Sequence, residues 1–101
     1  MIERFVFFKL KDEYCNDAAR AEFAERTRAD LSALQHVLSV TVGVPADEAS
    51  EQSWDISIVL QFDSIEDVQK YIIDPAHRSY VDNYATPRIE VRKAWNFRVV
   101  A

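Results

Sequence analysis

Residues 54–72 read WDISIVLQFDSIEDVQKYI, and this stretch contains the change of period that decides the fold. In its first half every second residue is apolar, which is typical of a β-strand with one face on a core. In its second half apolar residues recur three and four positions apart, as they do along one side of a helix. Between the halves, Ser64 to Asp67 resembles a capping box with Asp at the position where Glu is usual. The stretch therefore predicts a strand over Trp54–Phe62 that leads directly into a helix.

The rest of the chain adds similar elements on both sides of this stretch. The residue patterns predict a strand over 2–10, a helix over Ala18–Leu34, a strand over Val37–Val44, a short helix beginning at Asp74-Pro75 and a strand over Arg88–Val100. The polar residues Ala46–Ser53 are the best candidate for a loop. The order β-α-β-β-α-β is that of the ferredoxin-like α+β fold, an antiparallel sheet with helices on one face. We expect one domain over residues 1–101.

Composition limits the classes of partner. The net charge is −5 and the basic residues are interleaved with acids, so we expect no nucleic-acid partner. No apolar run approaches the ~20 residues of a membrane-spanning helix, so we also expect no membrane partner. Cys15 is the single cysteine and cannot form an internal disulfide, which favours a reducing compartment. We therefore expect a cytoplasmic protein.

The sheet face that the helices leave uncovered carries too little charge to be bathed in water. In the two middle strands of the sequence this face consists of small, polar or apolar residues, namely Val37, Ser39, Thr41, Gly43, Ser57, Val59 and Gln61. Asp55, at the entrance of its strand, is the charged exception. The first strand is apolar on both faces. Such a face suits a second copy of itself, so we predict a homodimer. The alternative is a monomer with a bland sheet surface.

Three stretches together carry a family resemblance: IERFVFFKLKDE at 2–13, IVLQFDSIEDVQKYI at 58–72 and DPAHRSYV at 74–81. Over nearly its whole length the chain resembles the stress-responsive dimeric α/β-barrel (Dabb) family. The resemblance implies a homodimer in which two sheets form a barrel with the helices outside.

Within that family, YIIDPAH at 71–77 is similar to the olivetolic acid cyclases of plants, which close a linear polyketide by aldol condensation without metal or cofactor. The resemblance implies that His77 is a pocket histidine and that Tyr71 supports it. The chain departs from the cyclases elsewhere, because Arg4 and Ile56 stand where the cyclases have further pocket histidines. Thr27 stands near the position of another pocket tyrosine.

Tyr71 and His77 are also the best catalytic candidates on chemical grounds. An imidazole exchanges protons near neutral pH, and a phenol can donate to a developing enolate. We expect both to border a cavity between the helices and the sheet, although His77 as a cap or space-filler and Tyr71 as a core residue are the alternatives. Candidate ligand-binding residues are Arg4, Tyr80 and Tyr84. Arg4 would either supply a positive charge to the pocket or pair with a carboxylate at the interface.

The other aromatic and histidine residues receive structural interpretations. Trp54 and Trp95 lie on apolar strand faces and are predicted to be core residues. His36 is predicted to be a solvated residue at a helix end. Two histidines 41 positions apart form no metal-site spacing, and one glycine cannot form a phosphate loop, so we expect no metal and no cofactor.

These observations lead to three hypotheses about function. The first is a dimeric barrel that binds a small apolar, aromatic or polyketide-like ligand, with cofactor-free lyase or isomerase chemistry. The second is a non-catalytic stress-response or structural protein. The third is a monooxygenase of the antibiotic-biosynthesis type.

Overall fold

The computed structural model describes residues 1–101 and is built around one four-stranded antiparallel sheet. The strands are β1 (Ile2–Leu10), β2 (Ser39–Gly43), β3 (Ile56–Phe62) and β4 (Ile89–Arg98), in the spatial order β2-β3-β1-β4. The helices are α1 (Asp17–Ser32), α2 (Glu48–Glu51), α3 (Ile65–Ile73) and α4 (Pro75–Tyr80), with a 3-10 turn over Asp12–Tyr14 and a π-helical turn over Val81–Ala85. The predicted ferredoxin-like α+β architecture is confirmed. None of these helices is both long and apolar enough to cross a bilayer.

Side-chain caps explain where the helices begin. The side chains of Asn16, Ser64 and Asp74 accept hydrogen bonds from the backbone N–H groups at the starts of α1, α3 and α4, at 2.9, 3.2 and 2.8 Å. Asp47 caps α2 in the same way, at 2.8 Å from Ser50 N. One helical turn therefore interrupts the segment that was predicted to be a loop.

The core lies between the helices and one face of the sheet. The alternate residues of β3, namely Ile56, Ile58, Leu60 and Phe62, are each at most 2% exposed. Phe23, Leu31 and Val68 from α1 and α3 belong to the same buried cluster. The face predicted for β3 is thus correct, and it places the helices over the even-numbered residues of β1 and β3.

The opposite sheet face, called the open face below, consists of the odd-numbered residues of the four strands, except Ile89, which pairs with Leu10 beyond a register shift and packs against the core. Trp95 and Phe97 lie on it and are 47% and 56% exposed, so the prediction that Trp95 is a core residue was wrong. Trp54 is half-buried, and its ring packs against Phe7 of the open face at 5.7 Å between centroids rather than under the helices. The two aromatic residues of β4 therefore point away from the core, whereas Ile89 and Ala94 pack against it.

Asp55 was expected on the open face and is instead fully buried. It precedes the first paired residue of β3, and its carboxylate turns toward α1. There it accepts hydrogen bonds from Arg20 Nε at 2.9 Å and from Leu10 N at 2.7 Å. The open face consequently lacks the one charged residue that was predicted for it in β2 and β3.

Candidate functional site

A small cavity lies between the helices and the sheet, and its volume is about 30 Å³. Its lining comes from β1, β3, β4, α1, α3, α4 and the π-helical turn: Arg4, Val6, Phe8, Leu31, Ile58, Tyr71, His77, Tyr80, Val81, Arg92 and Ala94. As formed, it has room for one or two water molecules. We call it the helix–sheet cavity.

The corner between α3 and α4 brings Tyr71 and His77 together. Asp74 ends α3 and caps α4, and Pro75 occupies the first position of α4, where its missing N–H costs nothing. The chain turns at this corner, and the two rings lie in tilted contact, with their centroids 4.1 Å apart and an angle of 40° between their planes. Both rings border the helix–sheet cavity. Their catalytic roles remain predictions.

His77 is arranged as a neutral base. Its Nδ1 lies 3.2 Å from the carbonyl oxygen of Ile72, which favours the tautomer with the proton on Nδ1. The lone pair of Nε2 is then free to take a proton. Burial lowers the pKa of His77 below 6.5, although the hydrogen bond to Ile72 opposes this, so the ring is uncharged at neutral pH.

Tyr71 is arranged as a proton donor. Burial raises its pKa to about 12, and the positive charges of Arg4 and Arg92 offset only part of that rise. The phenol therefore stays protonated at neutral pH. Its ring is held from the other side by Phe62, at 5.1 Å between centroids. The ring positions are fixed by packing, as an oriented hydrogen-bond donor requires.

The other two tyrosines have different surroundings. Tyr80 lines the cavity, and its hydroxyl lies 2.6 Å from Thr27 Oγ1 across the gap between α4 and α1. Burial raises the pKa of Tyr80. Tyr84 does not line the cavity, and the guanidinium groups of Arg26 and Arg88 lie over its ring, at 4.7 and 4.0 Å from the centroid.

Two arginines stand at the mouth of the helix–sheet cavity. Arg4 is half-buried, and its Nη1 donates to Asn96 Oδ1 at 3.0 Å on the neighbouring strand. It forms no ion pair with a carboxylate of its own chain, and its two predicted roles, a positive charge at the pocket or a pair with a carboxylate at the interface, remain predictions. Arg92 was not among the predicted site residues. Its position became visible only through the register that pairs it with Phe8.

Other parts of the surface offer less chemistry. A wider groove of about 510 Å³ lies at one end of the open face, lined in part by Phe7, Gly43, Trp54 and Ser57. Its single ionisable group, Asp55, is already bound by Arg20.

No group of three or more His, Cys, Asp or Glu side chains is placed to hold a metal ion. His36 lies at the end of the turn after α1 in the left-handed region, with φ of 72° and its Nδ1 3.5 Å from Asp67.

Comparisons with known proteins agree with this architecture. The family model described as Stress responsive A/B Barrel Domain (Dabb) matches residues 2–99. The sequence matches none of the curated proteins.

Several solved structures share the fold. A Dabb family protein with a ferredoxin-like fold from Mesorhizobium loti is 17% identical with a TM-score of 0.82, over 99% of this chain and 97% of that one. A dimeric protein of unknown function from Bacteroides fragilis is 20% identical with a TM-score of 0.78, over 97% and 95%. Hydroxynitrile lyase from Passiflora edulis is 14% identical with a TM-score of 0.77, over 98% and 93%. At these identities the likeness establishes the fold.

Proposed function

The chain belongs to the stress-responsive A/B barrel domain family, and from that premise we propose that it is a cytoplasmic homodimer with a small-molecule site in the helix–sheet cavity of each subunit. The dimer is formed by the open faces. Trp95 and Phe97 are exposed there together with half-buried Phe5 and Phe7. A standard interface removes ~800 Å² from each partner, which is about one eighth of the 6154 Å² that the chain exposes.

The proposed chemistry is proton transfer next to a carbonyl group, without metal or cofactor. His77 Nε2 takes a proton from the carbon beside the carbonyl, and the Tyr71 hydroxyl donates a hydrogen bond to the enolate oxygen that forms. The imidazolium then returns the proton to another atom, which isomerises the ligand, or to the alkoxide formed when the enolate attacks a second carbonyl. The observation that carries this proposal is the contact of the Tyr71 and His77 rings at the cavity, with a neutral imidazole and a protonated phenol.

The proposed ligand is a small, mostly apolar carbonyl compound of the aromatic or polyketide-like kind. Apart from His77, Tyr71, Tyr80 and the two arginines, every side chain that lines the cavity is apolar. A bound ligand of this kind needs several hundred Å³, so the cavity must widen from its volume of about 30 Å³. The π-helical turn after α4 is the segment that we expect to move, because it contributes Val81 to the cavity lining and such turns recur at functional sites.

The keto–enol interconversion of benzoylacetone, followed by ultraviolet absorbance, tests the proposal with a neutral aromatic β-diketone. The wild-type protein should accelerate interconversion, and His77→Ala and Tyr71→Phe should each reduce the acceleration by roughly 10²-fold. Tyr14→Phe is the matched control for the loss of a phenol outside the cavity. Unchanged acceleration in His77→Ala, with only a lower melting temperature, would show that His77 is structural and overturn the proposal.

The second candidate is a non-catalytic barrel protein, and the small volume of the closed cavity favours it. In that case benzoylacetone should interconvert at the background rate with the wild-type protein. Both candidate functions include the homodimer, so the benzoylacetone assay distinguishes them only by whether the helix–sheet cavity is catalytic.

A further inference from the structure

The two arginines at the helix–sheet cavity lie on adjacent strands and point to the same side. Arg4 pairs with Asn96 across β1 and β4, Val6 with Ala94, and Arg92 with Phe8. Three cross-strand pairs lie between the two arginines, and one of these pairs, Val6 with Ala94, is on the same face of the sheet as they are. The small side chain of Ala94 leaves space between them. That space opens into the cavity that Tyr71 and His77 border.

No carboxylate neutralises either arginine. Four other arginines of the chain, Arg20, Arg26, Arg28 and Arg78, each form an ion pair with Asp or Glu. Arg4 and Arg92 form none, and no Asp or Glu lines the cavity. Burial and the positive charge of Arg92 lower the pKa of Arg4. The helix–sheet cavity therefore has positive charge beside an apolar lining, with no carboxylate to neutralise it.

Arg4 also carries a buried hydrogen-bond donor with no acceptor. Its Nε is inaccessible and bonds to nothing in the chain, and it is the single buried side-chain polar atom of the protein in this condition. Buried N–H groups in folded proteins nearly always have a partner. Because Nη1 is engaged by Asn96, the edge formed by Nε and Nη2 is left free. That edge is the fork that arginine uses to bind a carboxylate with two parallel hydrogen bonds.

We propose that the ligand of the helix–sheet cavity carries a carboxylate or an equivalent oxyanion, held by the free edge of Arg4 and by Arg92. This inference rests on the proposed function and narrows it, since it makes the ligand an anionic carbonyl compound such as a β-keto acid. The carboxylate lies at the sheet side of the cavity. The carbon beside the carbonyl then faces the Tyr71–His77 pair on the helix side.

Benzoylacetate and benzoylacetamide are a matched pair of probes, because they have nearly the same shape and differ in charge. Calorimetric titration should show the carboxylate binding roughly tenfold tighter or more than the amide, as expected for charge-assisted hydrogen bonds. Arg4→Gln should remove most of that preference, and Arg92→Gln should reduce it. Arg28→Gln, which removes an arginine from the outer surface of α1, is the control and should retain it.

The outcomes distinguish this inference from the proposal beneath it. Equal binding of the two probes overturns the anionic ligand, while His77-dependent interconversion of neutral benzoylacetone would still support the acid–base site. A carboxylate preference that survives in Arg4→Gln also overturns the assignment. Binding of neither probe, together with no acceleration of benzoylacetone, overturns both. A correctly folded Arg4→Gln protein, judged by an unchanged circular dichroism spectrum, is required for each comparison.

Discussion

Replacing Asp55 should destabilise the protein more than any other single change of a charged residue. The carboxylate is fully buried and joins three elements. Its Oδ1 accepts from Arg20 Nε of α1 at 2.9 Å, and its Oδ2 accepts from the Leu10 backbone N–H at the end of β1 at 2.7 Å. Cys15 Sγ and Lys9 Nζ lie 3.6 and 3.7 Å from Oδ2. The carboxylate therefore holds the start of α1 and the end of β1 against the entrance of β3.

The magnitude follows from what each substitution leaves behind. Asp55→Ala leaves the Leu10 N–H without an acceptor and the Arg20 guanidinium with Glu51 as its nearest anion, at 3.1 Å and 40% exposed. Breaking one side of a buried ion pair costs about 3–5 kcal/mol. Asp55→Asn keeps the shape and one acceptor oxygen but loses the charge, so we expect about 1.5–3 kcal/mol.

Urea unfolding at one fixed protein concentration measures these costs, since a dimer's stability depends on concentration. Asp63→Asn, an exposed aspartate just beyond the other end of β3, is the matched control and should change the free energy of unfolding by less than about 0.5 kcal/mol. A cost below about 1 kcal/mol for Asp55→Ala would refute the argument, because it would mean that Arg20 is neutralised without Asp55.

Three further predictions concern the core, the dimer and the base. Ile58→Ala should cost about 2–5 kcal/mol in the same unfolding assay, because Ile58 is 2% exposed, and a cost under ~0.5 kcal/mol would contradict the assignment of the sheet faces. Thr41→Lys places like charges near the twofold axis of the proposed dimer, so sedimentation should show a shift toward monomer. The control Glu25→Lys, on the surface of α1, should remain dimeric. A wild-type protein that sediments as a monomer at micromolar concentration would refute the dimer. Because burial lowers the pKa of His77, the rate of benzoylacetone interconversion should hold down to pH values below 6.5 and fall as the pH drops further and the ring becomes protonated. The free energy of unfolding should also fall as the pH drops. The pKa of His77 is higher in the unfolded chain than in the folded protein, so protonation favours the unfolded chain. The contribution of the neutral ring to stability is therefore complete above pH 6.5 and declines as the pH falls toward the folded-state pKa. An acid limb centred at or above pH 6.5 would contradict the burial argument.

Much of the fold could be predicted because β3 and α3 each show one clear period. The residues of β3 alternate, and Ile58 and Leu60 can be buried together only on one face. The caps Ser64 and Asp74 are local signals, so the starts of α3 and α4 were predicted correctly. Such signals need no knowledge of which elements pack together.

Asp55 shows where alternation stops being informative. Counting by twos from Ser57 puts it on the open face, but the count holds only for residues within the ladder. Asp55 stands one position before β3 begins, and although its N–H still donates to Phe8 O of β1 at 2.9 Å, its carboxylate turns toward Arg20. The pairing of Asp55 with Arg20 involves residues 35 positions apart. No local signal in the sequence indicates it.

The same limit explains both the error at Trp95 and the failure to find Arg92. Alternation in β4 correctly indicates that Trp95 and Phe97 share a face and that Arg92 lies on the other, but it does not indicate which face the helices cover. Only the register with β1, which sets Arg92 opposite buried Phe8 and Trp95 opposite Phe5, decides that question. The result reverses the pattern of an ordinary edge strand, because the charge points to the cavity side and the aromatic rings to the open side. A lone subunit gains nothing from that reversal, since it exposes two aromatic rings to water and leaves an arginine without an ion pair on the helix side of the sheet. The reversal is favourable when a partner subunit covers the aromatic rings and an anion binds the arginine. One face of β4 thus contributes to the proposed dimer interface, and its other face contributes to the proposed ligand site.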